Sequence, residues 1–381
     1  MWKKSRIYLD IAAGVSGNPS SPHTEGRRSR ELLEGARAKI ARLVEVKADD
    51  LIFTSGATEA NALAILGVYR KQRTEKNSRP HMLYLPSAHA SVVENMKLVE
   101  AEGVVIESLP IGDCRVDCDI LAGMLRPETV LISMDAVCGE TGVVWNTREV
   151  RHTLDTYVQT WFAQRERPVL HVDASQAAMT EKLTRAHFGA DLMTLDASKV
   201  CPARGIGCLI APRSIPLAPL YVGGGQERGL RPGSEAPELA RAFAEGLEGA
   251  GAEREVFRAE AGSARAELVA ALESGTPDIL INEGPKSHQA SHILNISLPG
   301  RDTDYLLALL DEAGFAVSTK SACETDSGEG SRAVLALWND PERAASTLRI
   351  SWGREVRSHD LARFAHALAT ACAFIDSTGA K

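Results

Sequence analysis

Val169-Leu170-His171-Val172-Asp173-Ala174-Ser175-Gln176 and Leu192-Met193-Thr194-Leu195-Asp196-Ala197-Ser198-Lys199 are two short apolar runs, each finishing on charge. A nearly unbroken apolar run of this length reads as a strand covered on both faces, as in a parallel sheet. In open α/β sheets the carboxyl ends of such strands face the ligand crevice. An Asp there is costly to bury unless a cation partners it. A Lys there can be desolvated, lose its proton more easily and act as a nucleophilic amine. Each residue also has an ordinary reading, Asp173 as a helix N-cap and Lys199 as a solvated surface group.

Working outward, the same rhythm runs from about residue 28 to residue 215. Strands are read at 50–53, 82–85, 104–106, 130–134 and 207–211, and helices at 28–44, 58–70, 90–102, 119–125 and 147–162. Apolar strands separated by helices predict an α/β fold on a mostly parallel sheet flanked by helices. The segment Gly223-Gly224-Gly225-Gln226-Glu227-Arg228-Gly229-Leu230-Arg231-Pro232-Gly233-Ser234 breaks the rhythm, and an Ala- and Glu-rich helical stretch follows over 237–273. Beyond it, strands at 293–298, 315–318 and 347–351 with helices at 302–313 and 359–375 suit a smaller α+β unit. The expected division is a large domain over 11–261 and a small domain over 262–381, which residues 1–10 join.

The 381 residues are 44% hydrophobic and 24% charged, with a formal net charge of −7. That balance argues against nucleic acid or an anionic membrane as the main partner. No apolar run reaches the roughly 18 residues that span a bilayer. The charged start has no apolar signal region, so a cytoplasmic protein is expected. Seven scattered cysteines do not form a disulfide framework, and neither a metal site nor an iron–sulfur scaffold role is expected from them.

Thr54-Ser55-Gly56-Ala57-Thr58-Glu59-Ala60-Asn61 adds a third feature. A strand ends, Gly turns the chain and a helix begins at a hydroxyl residue, so free backbone N–H groups and the helix dipole make an anion site. An ordinary capped helix is the alternative. The phosphate turn, strand-end Asp173 and strand-end Lys199 together supply what pyridoxal 5′-phosphate (PLP) needs. These are a phosphate anchor, a counter-charge for the ring nitrogen and an amine for the aldehyde.

With these segments, Gly17-Asn18-Pro19-Ser20-Ser21-Pro22-His23, the Gly223 to Ser234 segment, Ser321-Ala322-Cys323 and Leu348-Arg349-Ile350-Ser351-Trp352-Gly353 complete a pattern. The chain resembles, over nearly its whole length, the cysteine desulfurases of the NifS/IscS type, among the class-V aminotransferase-like, fold-type I PLP enzymes. The resemblance implies Lys199 as the Schiff-base lysine, Asp173 on the pyridine nitrogen and Gln176 on the ring hydroxyl. It implies His89 stacked on the ring and shuttling protons, and Ala57, Thr58 and Ser198 on the phosphate. Ser234 takes the place of a Thr that reaches the phosphate of the other subunit, which implies a homodimer. Arg349 would clamp the carboxylate of L-cysteine. Cys323, in the polar loop 319–330, would receive the sulfur as a persulfide, leaving L-alanine. A sulfur acceptor for iron–sulfur cluster assembly or tRNA thiolation would then read the acidic residues Glu324, Asp326 and Glu329.

Three departures from the family pattern stand out. Only Ile11-Ala12-Ala13-Gly14-Val15-Ser16 separates Ile7-Tyr8-Leu9-Asp10, read as a short strand, from Gly17, where the family has some twenty more residues. Cys138-Gly139-Glu140-Thr141-Gly142 replaces Asn-Asn-Glu-x-Gly, and Ser198 replaces a His before Lys199. The alternative functions are a related lyase acting on selenocysteine and a weakened homologue with a binding or regulatory role.

Overall fold

The strands of the central sheet form where apolar residues run unbroken, and the helices where apolar residues recur every three or four positions. The computed structural model describes residues 6–75, 79–161, 167–285, 288–319 and 330–378. The strands are β1 (Leu51–Thr54), β2 (His81–Tyr84), β3 (Val105–Ser108), β4 (Ile111–Gly112), β5 (Arg115–Val116), β6 (Thr129–Asp135), β7 (Val169–Asp173), β8 (Leu192–Asp196), β9 (Gly207–Ile210), β10 (Leu280–Ile281), β11 (Ile293–Ser297) and β12 (Thr347–Ser351). The helices are α1 (Thr24–Leu43), α2 (Ala57–Glu75), α3 (Ala90–Ala101), α4 (Cys118–Met124), α5 (Thr147–Trp161), α6 (Arg185–Phe188), α7 (Pro237–Gly275), α8 (Thr303–Glu312), α9 (Arg332–Trp338), α10 (Pro341–Ala345) and α11 (Ser358–Thr378).

The main sheet has the order β1-β9-β8-β7-β6-β2-β3. Only β9 opposes its neighbours; β3, β2, β6, β7 and β8 pair in parallel. The expected mostly parallel α/β sheet is therefore present, with one reversed strand inside it. A second, antiparallel sheet, β10-β11-β12, carries Arg349. Two buried apolar clusters lie around these sheets, and α7 serves both. Its stripe Ala240, Phe243, Ala244 and Leu247 packs in the first, while Phe257, Ala261, Ala264, Leu268 and Leu272 pack in the second.

Two local readings change. The run 315–318 is not a strand: only Ser318 pairs, in a single bridge to Arg349 at the edge of β12. Phe315 and Val317 instead pack their side chains against the second cluster. Residues 111–116, read as no element, form the hairpin β4–β5. Asp113 and Cys114 make its turn with φ of 48° and 57°, the left-handed pair that a tight hairpin turn requires.

Candidate active site

The carboxyl ends of β6, β7 and β8, the start of α2 and the edge of β12 converge on one cavity of about 580 Å³. That volume suits a small molecule. Ala57, Thr58, His89, Asp173, Gln176, Ser198, Lys199 and Arg349 all line it. Ser234 is exposed and does not line it. Cys323 lies outside the described residues.

At the anchor, Gly56 turns the chain with φ of 150° and α2 begins at Ala57. Glu59 reaches back to accept a hydrogen bond from the Ser55 amide at 2.6 Å, completing the helix start. The Ala57 amide donates to Asp196 Oδ2 at 2.7 Å. The Ser198 amide and hydroxyl donate to Asp196 Oδ1 at 2.8 and 2.6 Å.

Asp173 is buried at the end of β7. The Asn61 amide donates to its Oδ2 at 2.7 Å and the Ser175 backbone N–H to its Oδ1 at 3.0 Å. Asn61 also donates to Ser91 Oγ at 2.9 Å, and that hydroxyl lies 2.8 Å from His89 Nδ1. His89 caps α3, its Nδ1 accepting from the Ser91 amide. In the neutral ring this leaves the proton on Nε2. Asp135 stands in register with Asp173 on the neighbouring strand. Burial first, then the Asp173 charge, holds its carboxyl well above the usual range. Its Oδ1 is buried among the cavity walls without a hydrogen-bond partner among the described residues. Burial also pushes the His292 imidazole, on the opposite wall, down to about 4.

Gln176 sits on the turn after β7, and Gly139 packs directly against it. A Cβ at position 139 would lie 2.9 Å from the Gln176 amide nitrogen, so a side chain there would displace Gln176. Glycine at this departure from the family pattern therefore keeps Gln176 in place. Its neighbour Cys138 is buried, and burial pushes its thiol up to about 12. A thiol held protonated is a poor nucleophile. Arg349 donates to the Gly139 carbonyl at 3.1 Å, which aims its guanidinium across the cavity.

Lys199 is exposed on the one-turn helix after β8, not desolvated inside the sheet. The turn carries it beyond the end of the buried strand while it still lines the cavity. Both flanks of segment 320–329 are fixed to cavity walls. Ser318 exchanges backbone hydrogen bonds with Arg349, and the Ser331 hydroxyl donates to Glu140 at 2.5 Å.

Sequence reasoning assigned no role to Asn61, Ser91, Asp135, Asp196 or His292. Asp135 carries the same signal as Asp173, an acid at the end of an apolar run, and could have been found by it. Asn61 and Ser91 act across the fold and carry no local signal. The Gly223 to Ser234 segment turns out to hold a structural ion pair. Glu227, buried with φ of 46°, accepts from Arg37 at 2.9 and 2.6 Å and from the Phe53 amide at 2.8 Å. Burial opposes the Arg37 charge, but Glu227 outweighs it and raises the guanidinium pKa.

A mostly parallel sheet with an Asp at the end of one strand, a Lys one turn beyond the next and a glycine turn opening a helix defines a class, and the family comparison gives the same one. The Aminotransferase class-V model matches residues 8–364, so the chain belongs to that family. Within it, the chain belongs with the cysteine desulfurases of the NifS/IscS type. It is 31% identical to the cysteine desulfurase IscS of Dictyoglomus turgidum, covering 94% of this chain and 92% of that one. It is 29% identical to cysteine desulfurase IscS 1 of Archaeoglobus fulgidus, covering 92% and 88%. A solved NifS-like protein superposes with a TM-score of 0.84 at 24% identity over 96% and 93% of the two chains. DndA from Streptomyces lividans superposes at 0.73 with 30% identity over 90% and 93%.

The cofactor of this family is PLP, and the described residues fit it. Asp173 keeps acceptor capacity beyond its two hydrogen bonds, and the orphaned Asp135 oxygen marks a place where a polar ligand atom belongs. Lys199 lines the same cavity as Ala57, Thr58 and Asp173.

Proposed function

We propose that the chain converts L-cysteine to L-alanine with transfer of the sulfur to Cys323 as a persulfide. The observation that carries this reading is the joining of Lys199, Asp173 and Arg349 in one cavity, to whose walls both flanks of the Cys323 segment are pinned. When bound, PLP supplies an electron sink for the substrate carbon.

Lys199 would hold the cofactor and is placed to move the proton at the substrate Cα. Asp173, oriented by Asn61, would counter the charge of a protonated ring nitrogen. Gln176 would serve the ring hydroxyl and His89 the ring face and proton shuttling, while Ala57, Thr58 and Ser198 would hold the phosphate. Arg349 holds the substrate carboxylate. The Cys323 thiolate attacks the substrate Sγ. An S–S bond forms, the Cβ–Sγ bond breaks, and Cβ takes a proton to give alanine. The persulfide is then passed to an acceptor of iron–sulfur assembly or tRNA thiolation. Cys138 cannot replace Cys323, because its thiol is buried and held protonated.

The functional unit is a homodimer, with Ser234 serving the partner's site. Ile7, Leu9, Val15 and Val222 are 77%, 90%, 84% and 89% exposed, apolar side chains of the kind a second copy would cover. The fold divides into 11–261 and 262–381; Arg6, Tyr8 and Asp10 bond to residues 14–25, which ties them to the first unit rather than, as expected, to the second. Among the described residues no helix is long and apolar enough to cross a membrane, and the site of action is the cytoplasm.

Alanine and sulfide formation from L-cysteine in the presence of a thiol reductant tests the reading. Cys323→Ala is expected to lose at least about a hundredfold in rate, since no other group replaces the nucleophile. Undiminished turnover in that variant would overturn the mechanism.

A further inference from the structure

The anchor at the start of α2 is already filled by the chain's own carboxylate. Asp196 Oδ1 caps the one-turn helix after β8, accepting from the Ser198 amide and hydroxyl. Capping needs one oxygen only. The other, Oδ2, reaches 139 positions back along the chain to the Ala57 amide, at 2.7 Å. It also lies 3.2 Å from where a Gly56 Cβ would stand, so glycine is what lets the carboxylate approach the turn this closely. Ala57 is the first residue of a 19-residue helix, whose amino end favours one anion. The Ala57 amide and the Ser198 hydroxyl are the donors a phosphate would need, and both are committed to Asp196.

We propose that Asp196 competes internally with the cofactor phosphate. The phosphate enters only as the carboxylate turns away, and the chain holds PLP less tightly than its anchor permits. Two anions cannot share one amide donor, and like charges at hydrogen-bond separation disfavour each other. No spare cation relieves the conflict among the described lining residues. Lysine and arginine contribute only Lys199 and Arg349 there, against the carboxyl groups of Asp135, Glu140, Asp173, Asp196 and Glu355. Lys199 is committed to the aldehyde and Arg349 to the substrate. A Ser in place of His ahead of Lys199 adds to the effect, because a hydroxyl brings no charge to the phosphate.

The inference rests on the family's cofactor, and it is tested by binding rather than turnover. The cofactor-free full-length chain is dialysed to equilibrium against PLP and against pyridoxal, which has the same ring and aldehyde without the phosphate. Asp196→Asn keeps the cap and removes the charge; Asp196→Ser keeps a capping oxygen and shortens the reach. In both variants the PLP dissociation constant should fall at least about tenfold, or about 1.4 kcal/mol. Pyridoxal binding should stay within about twofold. Thermal denaturation with inorganic phosphate gives a second readout, with the variants stabilised more than wild type. An unchanged preference for PLP over pyridoxal, or equal stabilisation by phosphate, would show that Asp196 does not compete for the anchor.

Discussion

Asn61 is the residue on which the ring-nitrogen side of the cavity turns. Its amide group touches both Asp173 and Ser91, and Ser91 in turn sets the His89 ring. One side chain thereby orients both the carboxylate proposed to serve the ring nitrogen and the imidazole proposed to serve the ring face. Asn61→Ala removes a hydrogen bond to a charged group, worth about 1.5–3 kcal/mol. The expected outcome is a fall in kcat of roughly ten- to a hundredfold with KM little changed. A shifted absorption band of the bound cofactor should accompany it, and a variant with normal band and rate would remove Asn61 from the site. Asp173 and Lys199 were legible in sequence because each closes or closely follows an apolar run, and Arg349 through the family resemblance. Asn61 was quoted within the anchor motif but gave no sign of its role. Its partners lie 30 and 112 positions away, and only the fold brings them within reach.

At the scale of elements, the centre of the main sheet is tied side to side by His171 on β7. Its Nδ1 lies 2.8 Å from Ser133 Oγ on β6 and its Nε2 lies 3.0 Å from Thr194 Oγ1 on β8. Burial pushes its pKa down to about 4, with the Asp173 charge opposing the shift. An unfolded His titrates near 6.5. Between those values the unfolded chain binds the proton and the folded chain does not, so unfolding is favoured as pH falls. Stability from this group is full above about pH 6.5 and is lost down to about pH 4, below which the loss stops. At pH 5 the loss is on the order of 2 kcal/mol. His292, also lowered to about 4 by burial, adds to it over the same window. His171→Gln, which has no such titration, should show a smaller drop in urea stability between pH 7 and pH 5 than wild type. Equal drops would mean that His171 is not the group responsible.

The strands around His171 were readable because both their faces are buried, which leaves an unbroken apolar run. The run 315–318 carried the same signal, and Phe315 and Val317 are indeed packed against the second cluster. Strand formation also needs backbone partners, and β12 supplies one at Arg349 alone. The hairpin over 111–116 was missed for the opposite reason: Asp113 and Cys114 adopt left-handed geometry without the glycine that usually announces it.

Across the whole molecule, long-range contacts hold the anchor and the core in one frame. Glu227 joins α1, through Arg37, to β1, through the Phe53 amide. Tyr221 and Arg231, on either side of it in sequence, bond Glu59 in the first turn of α2. Glu227→Ala would leave the buried Arg37 guanidinium only the half-exposed Glu34 carboxylate and the Leu51 carbonyl, and is expected to cost up to about 3–5 kcal/mol. Urea denaturation measures this, and the double variant Arg37→Met/Glu227→Leu should recover much of the loss. A single variant as stable as wild type would show that the pair is dispensable.

The sequence by itself determined the alternation of strands and helices, the parallel main sheet, the cofactor class and the cavity residues that end its strands. Those features follow from local periodicity and from charge placed where apolar runs stop. Only the tertiary structure decided that β9 runs against its neighbours, that Gly139 makes room for Gln176, and that Asn61 ties Asp173 to His89. It alone put the Asp196 carboxylate on the anchor at the start of α2. Each of these depends on atoms distant in sequence meeting within hydrogen-bond or van der Waals reach, and folding, not local pattern, sets those distances.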